Sequence, residues 1–282
     1  MAVHNWKERW KERMMKLKLM LHAVSGIFAL AVLSTAFAAG AGAPHTRAAQ
    51  PPSDKVKTQT VQYPSGKETV DGFLVTPNSP GRHPALIVIH EWWGLNDWVK
   101  EQAEKLAEQG YVALAVDLYR GKSTADSGEA HELMRGLPQD RGIRDLMAAY
   151  DYLGTRADVT RDRIGSIGWC MGGGFSIELA MHQPRLAACV VNYGALPTDP
   201  TDLGQIVAPV LGNFGGEDHG ITPADVHSFE KTLRNEGKRV DVKIYEGAGH
   251  AFENPNNTKG YRPDDAQDAW KRTIDFLSHT MK

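Results

Sequence analysis

The chain has 282 residues, 41% of them apolar and 23% charged, with a formal net charge of −2. Length and composition suit one ordinary globular domain and exclude a disordered chain, and a near-neutral balance without a basic block argues against nucleic acid as the main partner. Two cysteines exclude a disulfide scaffold and a zinc site of four thiolates.

The N-terminus is the most biased stretch. Lys7, Arg9, Lys11, Arg13, Lys16 and Lys18 face only Glu8 and Glu12, and the apolar run Leu19–Phe37 follows, ending in the small-residue site Ala36–Phe37–Ala38. A basic region, an apolar core and such a site together predict a secretory signal over residues 1–38. The protein is then expected to be exported, periplasmic or secreted, with no membrane association once the signal is cleaved. The alternative is an uncleaved anchor, because the run approaches the ~20 residues that span a bilayer; His22 and the weakly apolar Ala, Ser and Gly weigh against it. With no twin-arginine pair and no lipid-anchoring Cys, the signal reads as Sec-like. Residues 39–55, rich in Ala, Pro and Gly, read as a linker. Without residues 1–38 the charge is −6, and residues 56–282 remain as one folded domain, expected to be monomeric.

Along that domain, Thr58–Tyr63 and Glu68–Thr76 are predicted to pair around the turn Pro64-Ser65-Gly66-Lys67. Ala85–His90 is a continuous β-branched run, as a strand buried on both faces requires. Asn96–Gln109 is an amphipathic helix with Asn96 as N-cap and Gly110 as its stop. The strand Val112–Leu118, the helix Leu137–Thr155, the strand Arg163–Trp169 and the helix Met171–His182 come next. Then follow strand Ala187–Tyr193, strand Ala208–Phe214, helix Pro223–Glu236, strand Val240–Tyr245 and helix Pro263–His279. Strands alternating with helices predict an α/β fold, a mostly parallel sheet with helices on both faces. Ligands in such sheets bind beyond the carboxyl ends of the strands.

One such end reads Gly168-Trp169-Cys170-Met171-Gly172, the strand–turn–helix context of a nucleophile elbow. The turn leaves no room for side chains two residues before or after the nucleophile. Cys stands where Ser is usual, and a helix N-terminus behind a thiol favours its thiolate. The blander reading is a buried structural Cys in a Gly-rich helix start. A thiol nucleophile needs a base and a group that orients it, and in this fold these follow as acid and then His. Gly215-Gly216-Glu217-Asp218 and Gly247-Ala248-Gly249-His250 both lie in loops after strands, so Asp218 and His250 are the candidates; Glu217 and His219 flank the acid, leaving a one-residue ambiguity. At a third strand end, His90-Glu91-Trp92-Trp93-Gly94, the Trp92 N–H is placed to join the Met171 N–H as an oxyanion hole. Glu91 is either a paired carboxylate at a loop start or a charge beside the thiol that tunes its protonation.

The segments HEWWGLNDWVKEQAEKLAEQGYVALAVDLYRG, IGWCMGGG, GGEDHGITP and YEGAGHAF resemble the dienelactone hydrolase family, from about Val61 to Phe276. The resemblance implies an α/β-hydrolase fold without cofactor or metal. It places Cys170, Asp218 and His250 on the family's triad positions and implies that Glu91 contacts the thiol and helps form the thiolate when substrate binds. The best-known members hold a substrate carboxylate with two arginines. Here the position four residues after His250 is Asn254, and the segment Gly121–Leu137 holds its only arginine at Arg135, with Arg120, directly after Asp117-Leu118-Tyr119, as the candidate substitute. Trp92, Trp93 and Trp169 suggest an aromatic-lined pocket, with Tyr119, Arg120, Phe252 and Asn254 as further lining. The expected function is hydrolysis of a small-molecule ester or lactone through a Cys-His-Asp triad and a thioester; a non-catalytic binding protein on the same fold is the alternative. Cys189, in an apolar strand, is expected to be an inert core thiol.

Overall fold

A strand that is apolar on both sides needs cover on both sides, and Leu86, Ile87, Val88 and Ile89 are all fully buried. The computed structural model describes residues 54–282; the expected leader and all but the last two residues of the linker lie outside them. In chain order the elements are β1 (Val56–Ser65), β2 (Glu68–Pro77), β3 (His83–Ile89), α1 (Asp97–Glu108), β4 (Val112–Val116), α2 (Ser127–Arg135), α3 (Gln139–Thr155), β5 (Val159–Trp169), α4 (Met171–His182), β6 (Cys189–Asn192), α5 (Pro200–Leu203), β7 (Val210–Gly215), α6 (Pro223–Asn235), β8 (Val240–Tyr245) and α7 (Pro263–Met281). They form one sheet in the order β1-β2-β4-β3-β5-β6-β7-β8. The β1–β2 and β2–β4 pairs are antiparallel, and β3 to β8 run parallel.

The sheet divides the core in two. Ala85, Ile87 and Ile89 join Leu146 and Leu153 of α3, Ile177 of α4 and Phe229 of α6 on one face. Leu86 and Val88 join Val99, Ala103 and Leu106 of α1 and Leu277 of α7 on the other. Burying each such aliphatic side chain stabilises the fold by roughly 1.5–3 kcal/mol, so the pattern of two-sided strands and one-sided helices selects this three-layer arrangement. The expected N-cap of α1 is present: the Asn96 side chain accepts from the Val99 N–H at 3.2 Å.

Three elements differ from expectation. Strand β5 begins at Val159, which pairs with His83 before a register shift. Helix α2 lies in a segment for which the sequence predicts no element. It is capped by Asp126, which accepts from the Glu129 N–H at 2.8 Å, but its buried face is only Ala130 and Met134. One i, i+4 pair is too little period to announce a helix. The single turn α5 is shorter still. The parallel order brings the carboxyl ends of β3, β5, β6, β7 and β8 to one edge of the sheet, where the candidate site lies.

Candidate active site

Strand β5 passes into α4 through a single residue, Cys170. Its backbone stands at φ 53°, ψ −118°, a region that costs a non-glycine residue ~1–3 kcal/mol. The flanking glycines permit it. A Cβ on Gly168 would sit 2.0 Å from the Gly172 carbonyl oxygen, and one on Gly172 would sit 2.3 Å from the Ile89 carbonyl oxygen. Cys170 occupies the N-cap of α4, but its side chain makes no capping bond, so the half-buried thiol stays available. Cys189 is fully buried, and burial pushes its thiol up to about 11.

The acid and the base arrive on the loops after β7 and β8. His250 Nδ1 meets Asp218 Oδ2 at 2.7 Å. The other Asp218 oxygen accepts from the N–H groups of Gly220 and Ile221 at 2.8 and 3.0 Å, which locks the carboxylate in place. Asp218 is buried, whereas Glu217 and His219 are exposed, so the geometry selects Asp218 from the three. Burial opposes charge on Asp218, but the bond to His250 and the two N–H groups outweigh it and hold the carboxyl below its ordinary value. The His250 side chain is 41% exposed, so partial loss of hydration opposes its cation only in part, and the neighbouring Cys170 sulfur and Asp218 raise the ring well above its ordinary value.

Glu91 lies 1% exposed at the end of β3. Asn254 Nδ2 donates to its Oε2 at 2.6 Å and the Tyr193 hydroxyl to its Oε1 at 3.4 Å. Burial raises it to about 7, against the lowering effect of Asn254, His250 and Tyr193. The thiol is not among its hydrogen-bond partners in the described residues. Tyr193 was not singled out from the sequence, although it ends a predicted parallel strand, where ligand-binding residues gather. Its ring also packs edge-on against His250, with centroids 5.3 Å apart, and its backbone is strained at φ 38°. Glu253 was likewise missed: Trp169 Nε1 donates to its Oε2 at 3.1 Å, and burial raises its carboxyl to about 8.

The loop after β3 is tied down from below. His90 Nε2 accepts from the Leu118 N–H at 3.3 Å, so Nδ1 carries the hydrogen and donates to the Glu91 carbonyl. Beyond it the Thr124 N–H donates to the Trp93 carbonyl at 3.0 Å. Trp92 and Trp93 are half-buried, with rings edge-to-face at 4.8 Å. Met171 opens α4, so its N–H has no partner within the helix; its sulfur accepts from the Tyr119 hydroxyl at 3.2 Å.

Four of the proposed lining residues have other work. Arg120 is held by Asp145 at 2.7 Å and Glu68 at 3.2 Å, so it does not replace the absent arginine. Phe252 is fully buried, packed between Tyr193 and Tyr245, and Trp169 is buried against Trp98; both belong to the core. Asn254 is turned inward onto Glu91. Arg135 pairs with Glu132 on α2.

The model of the dienelactone hydrolase family matches residues 70–281. A Bradyrhizobium protein named "Probable 2-oxo-3-(5-oxofuran-2-ylidene)propanoate lactonase" is 34% identical over 218 residues, covering 73% of this chain and 87% of its own. A protein of Saccharolobus solfataricus with a provisional carboxymethylenebutenolidase assignment is 31% identical over 259 residues, covering 78% and 98%. Among solved structures, a dienelactone hydrolase-like promiscuous phosphotriesterase from metagenomic libraries superposes with a TM-score of 0.75 at 26% identity, covering 81% of this chain and all of its own. With the α/β-hydrolase sheet and the elbow already described, these likenesses show that the chain belongs to the dienelactone hydrolase family and is a hydrolase of the ester and lactone type.

Proposed function

We propose that Cys170, His250 and Asp218 form a triad that cleaves neutral esters or lactones through a thioester. The observation that carries this reading is the 2.7 Å bond between His250 and the buried Asp218, on a ring whose charge is coupled to the Cys170 sulfur. The thiolate adds to the substrate carbonyl carbon, and the N–H groups of Trp92 and Met171 take the developing oxyanion. Collapse breaks the carbon–oxygen bond to the leaving group, which receives the proton from His250 Nε2. The neutral ring then removes a proton from water; the hydroxide adds to the thioester, and the acid and the thiol are released. Asp218 keeps the ring in its working tautomer. Asn254 turned inward and Arg120 held in ion pairs support a substrate without a carboxylate.

Iodoacetamide labelling with an intact-mass readout tests the nucleophile. Modification of Cys170 alone is expected to abolish hydrolysis of an aryl ester, while buried Cys189 reacts slowly. Full activity after stoichiometric labelling of Cys170 would sink the assignment. Residues 1–38 are further proposed to direct export; N-terminal sequencing of the protein from the periplasm or medium checks it, and a retained leader there would count against cleavage.

A further inference from the structure

We propose that Asn192 is a positioning residue for Cys170, holding the elbow with both its backbone and its side chain. The inference rests on Cys170 being the nucleophile. The Cys170 N–H donates to the Asn192 carbonyl at 3.0 Å, and Asn192 Nδ2 donates to the Gly168 carbonyl at 3.2 Å. One residue at the end of β6 thus grips the turn on both sides of Trp169. The contact is close: a Cβ on Gly173, in the first turn of α4, would lie 2.8 Å from the Asn192 carbonyl oxygen. Any shift of Asn192 therefore reaches the start of the nucleophile helix directly.

The Asn192 amide has only one usable orientation, and that orientation is set from the surface. Its Oδ1 accepts from Asn213 Nδ2 at 2.8 Å. The Asn213 Oδ1 in turn accepts from Arg272 Nη1 at 2.5 Å, and Arg272 Nη2 pairs with Asp241 at 2.9 Å. A guanidinium donates and never accepts, so it forces the oxygen of Asn213 toward itself and the amide nitrogen toward Asn192. The same constraint then turns the Asn192 nitrogen toward Gly168. Both asparagines are buried, at 1% and 0% exposure, in strands whose neighbours are Val190, Val191 and Leu211. Packing alone is served by apolar residues at both positions, whereas a directional polar thread ending on the elbow is served only by groups that donate and accept. A nucleophile in left-handed backbone geometry persists only when its surroundings over-determine it, and this thread supplies part of that constraint.

Three variants test the proposal, each read by the rate of Cys170 alkylation, by kcat and KM on a neutral aryl ester, and by thermal unfolding. Asn192→Leu is expected to slow both alkylation and kcat by about 10- to 100-fold at unchanged KM, the scale of a small misplacement of a reacting group. Asn192→Asp preserves shape but donates to Gly168 only when its carboxyl is protonated. Its kcat relative to the parent is therefore expected to rise as pH falls from about 8 to 6, in a range where both are folded. Should Asn192→Leu fail to fold, Arg272→Met releases the amide orientation from the surface end and is expected to slow alkylation several-fold. Parent rates in a folded Asn192→Leu or Arg272→Met, or a flat pH ratio for Asn192→Asp, overturn the inference. Turnover by Cys170→Ala overturns the triad instead, so the two failures are separable.

Discussion

Asn254 Nδ2 donates to Glu91 Oε2 at 2.6 Å across 163 residues of chain, placing a neutral amide where the family's best-known members are expected to carry a guanidinium. A buried carboxylate with an amide and a phenol for partners lacks a full positive charge in contact, and Glu91 rises from 4.5 to about 7. Between those values the unfolded chain has released the proton while the folded protein retains it. Stability therefore falls as pH rises through that window. Glu91→Gln removes the titration, so its stability relative to the parent should improve from pH 4.5 to 7 by at most about 3 kcal/mol. Paired urea melts at the two pH values check this; a difference independent of pH would show that burial does not raise Glu91 above its ordinary value.

The loop after β7 offers a sharp comparison. His250→Ala leaves the thiol without a proton acceptor and is expected to lower kcat by several orders of magnitude. Asp218→Asn should be severe but milder, because the ring keeps its place while losing its partner's charge. Glu217→Gln should be close to neutral, since Glu217 is exposed and its N–H, bonded to the Ala248 carbonyl, is untouched. Steady-state rates on one ester rank the three; a damaging Glu217→Gln would contradict the geometry.

Neutral esters should be turned over at least as well as matched esters bearing a free carboxylate. Arg120 is committed to Asp145 and Glu68, and Asn254 faces Glu91 rather than solvent. Values of kcat/KM for a methyl-capped and an uncapped pair measure it. A strong preference for the anion would require a cation that these contacts do not supply.

Sulfur itself sets the preferred leaving group. A tetrahedral adduct on Cys170 expels either the substrate's alcohol or the thiolate, and a thiol of ordinary pKa near 8.5 makes a far better leaving group than an alkoxide. Acylation should therefore accelerate steeply across esters of one acid as the alcohol's pKa falls, favouring aryl esters, enol esters and enol-lactones. Proton donation from His250 is worth about 10²–10⁴-fold, which softens the slope without erasing it. Pre-steady-state acylation rates across such a series give the slope directly, and a flat line would show that the cysteine does not govern substrate choice.

Local patterns in the chain determined the sheet, the elbow and the order of its partners. A β-branched run such as Leu86–Ile89 buries itself wherever it lies, and the Gly168–Gly172 spacing encodes a turn that only those residues make. What reaches across the fold was decided by tertiary packing. The choice of Asp218 over Glu217 came from which carboxylate faces His250. The engagement of Arg120 came from a buried Asp145 on α3, and the inward turn of Asn254 from a glutamate at the far end of another strand. Asn192 ends β6 and Tyr193 follows it, yet Tyr193 bonds Glu91 and Asn192 grips Gly168, because successive residues at a strand end point to opposite sides. A residue's type states which bonds it is able to make, but the partner standing within hydrogen-bonding distance is fixed only when distant strands are brought to one edge.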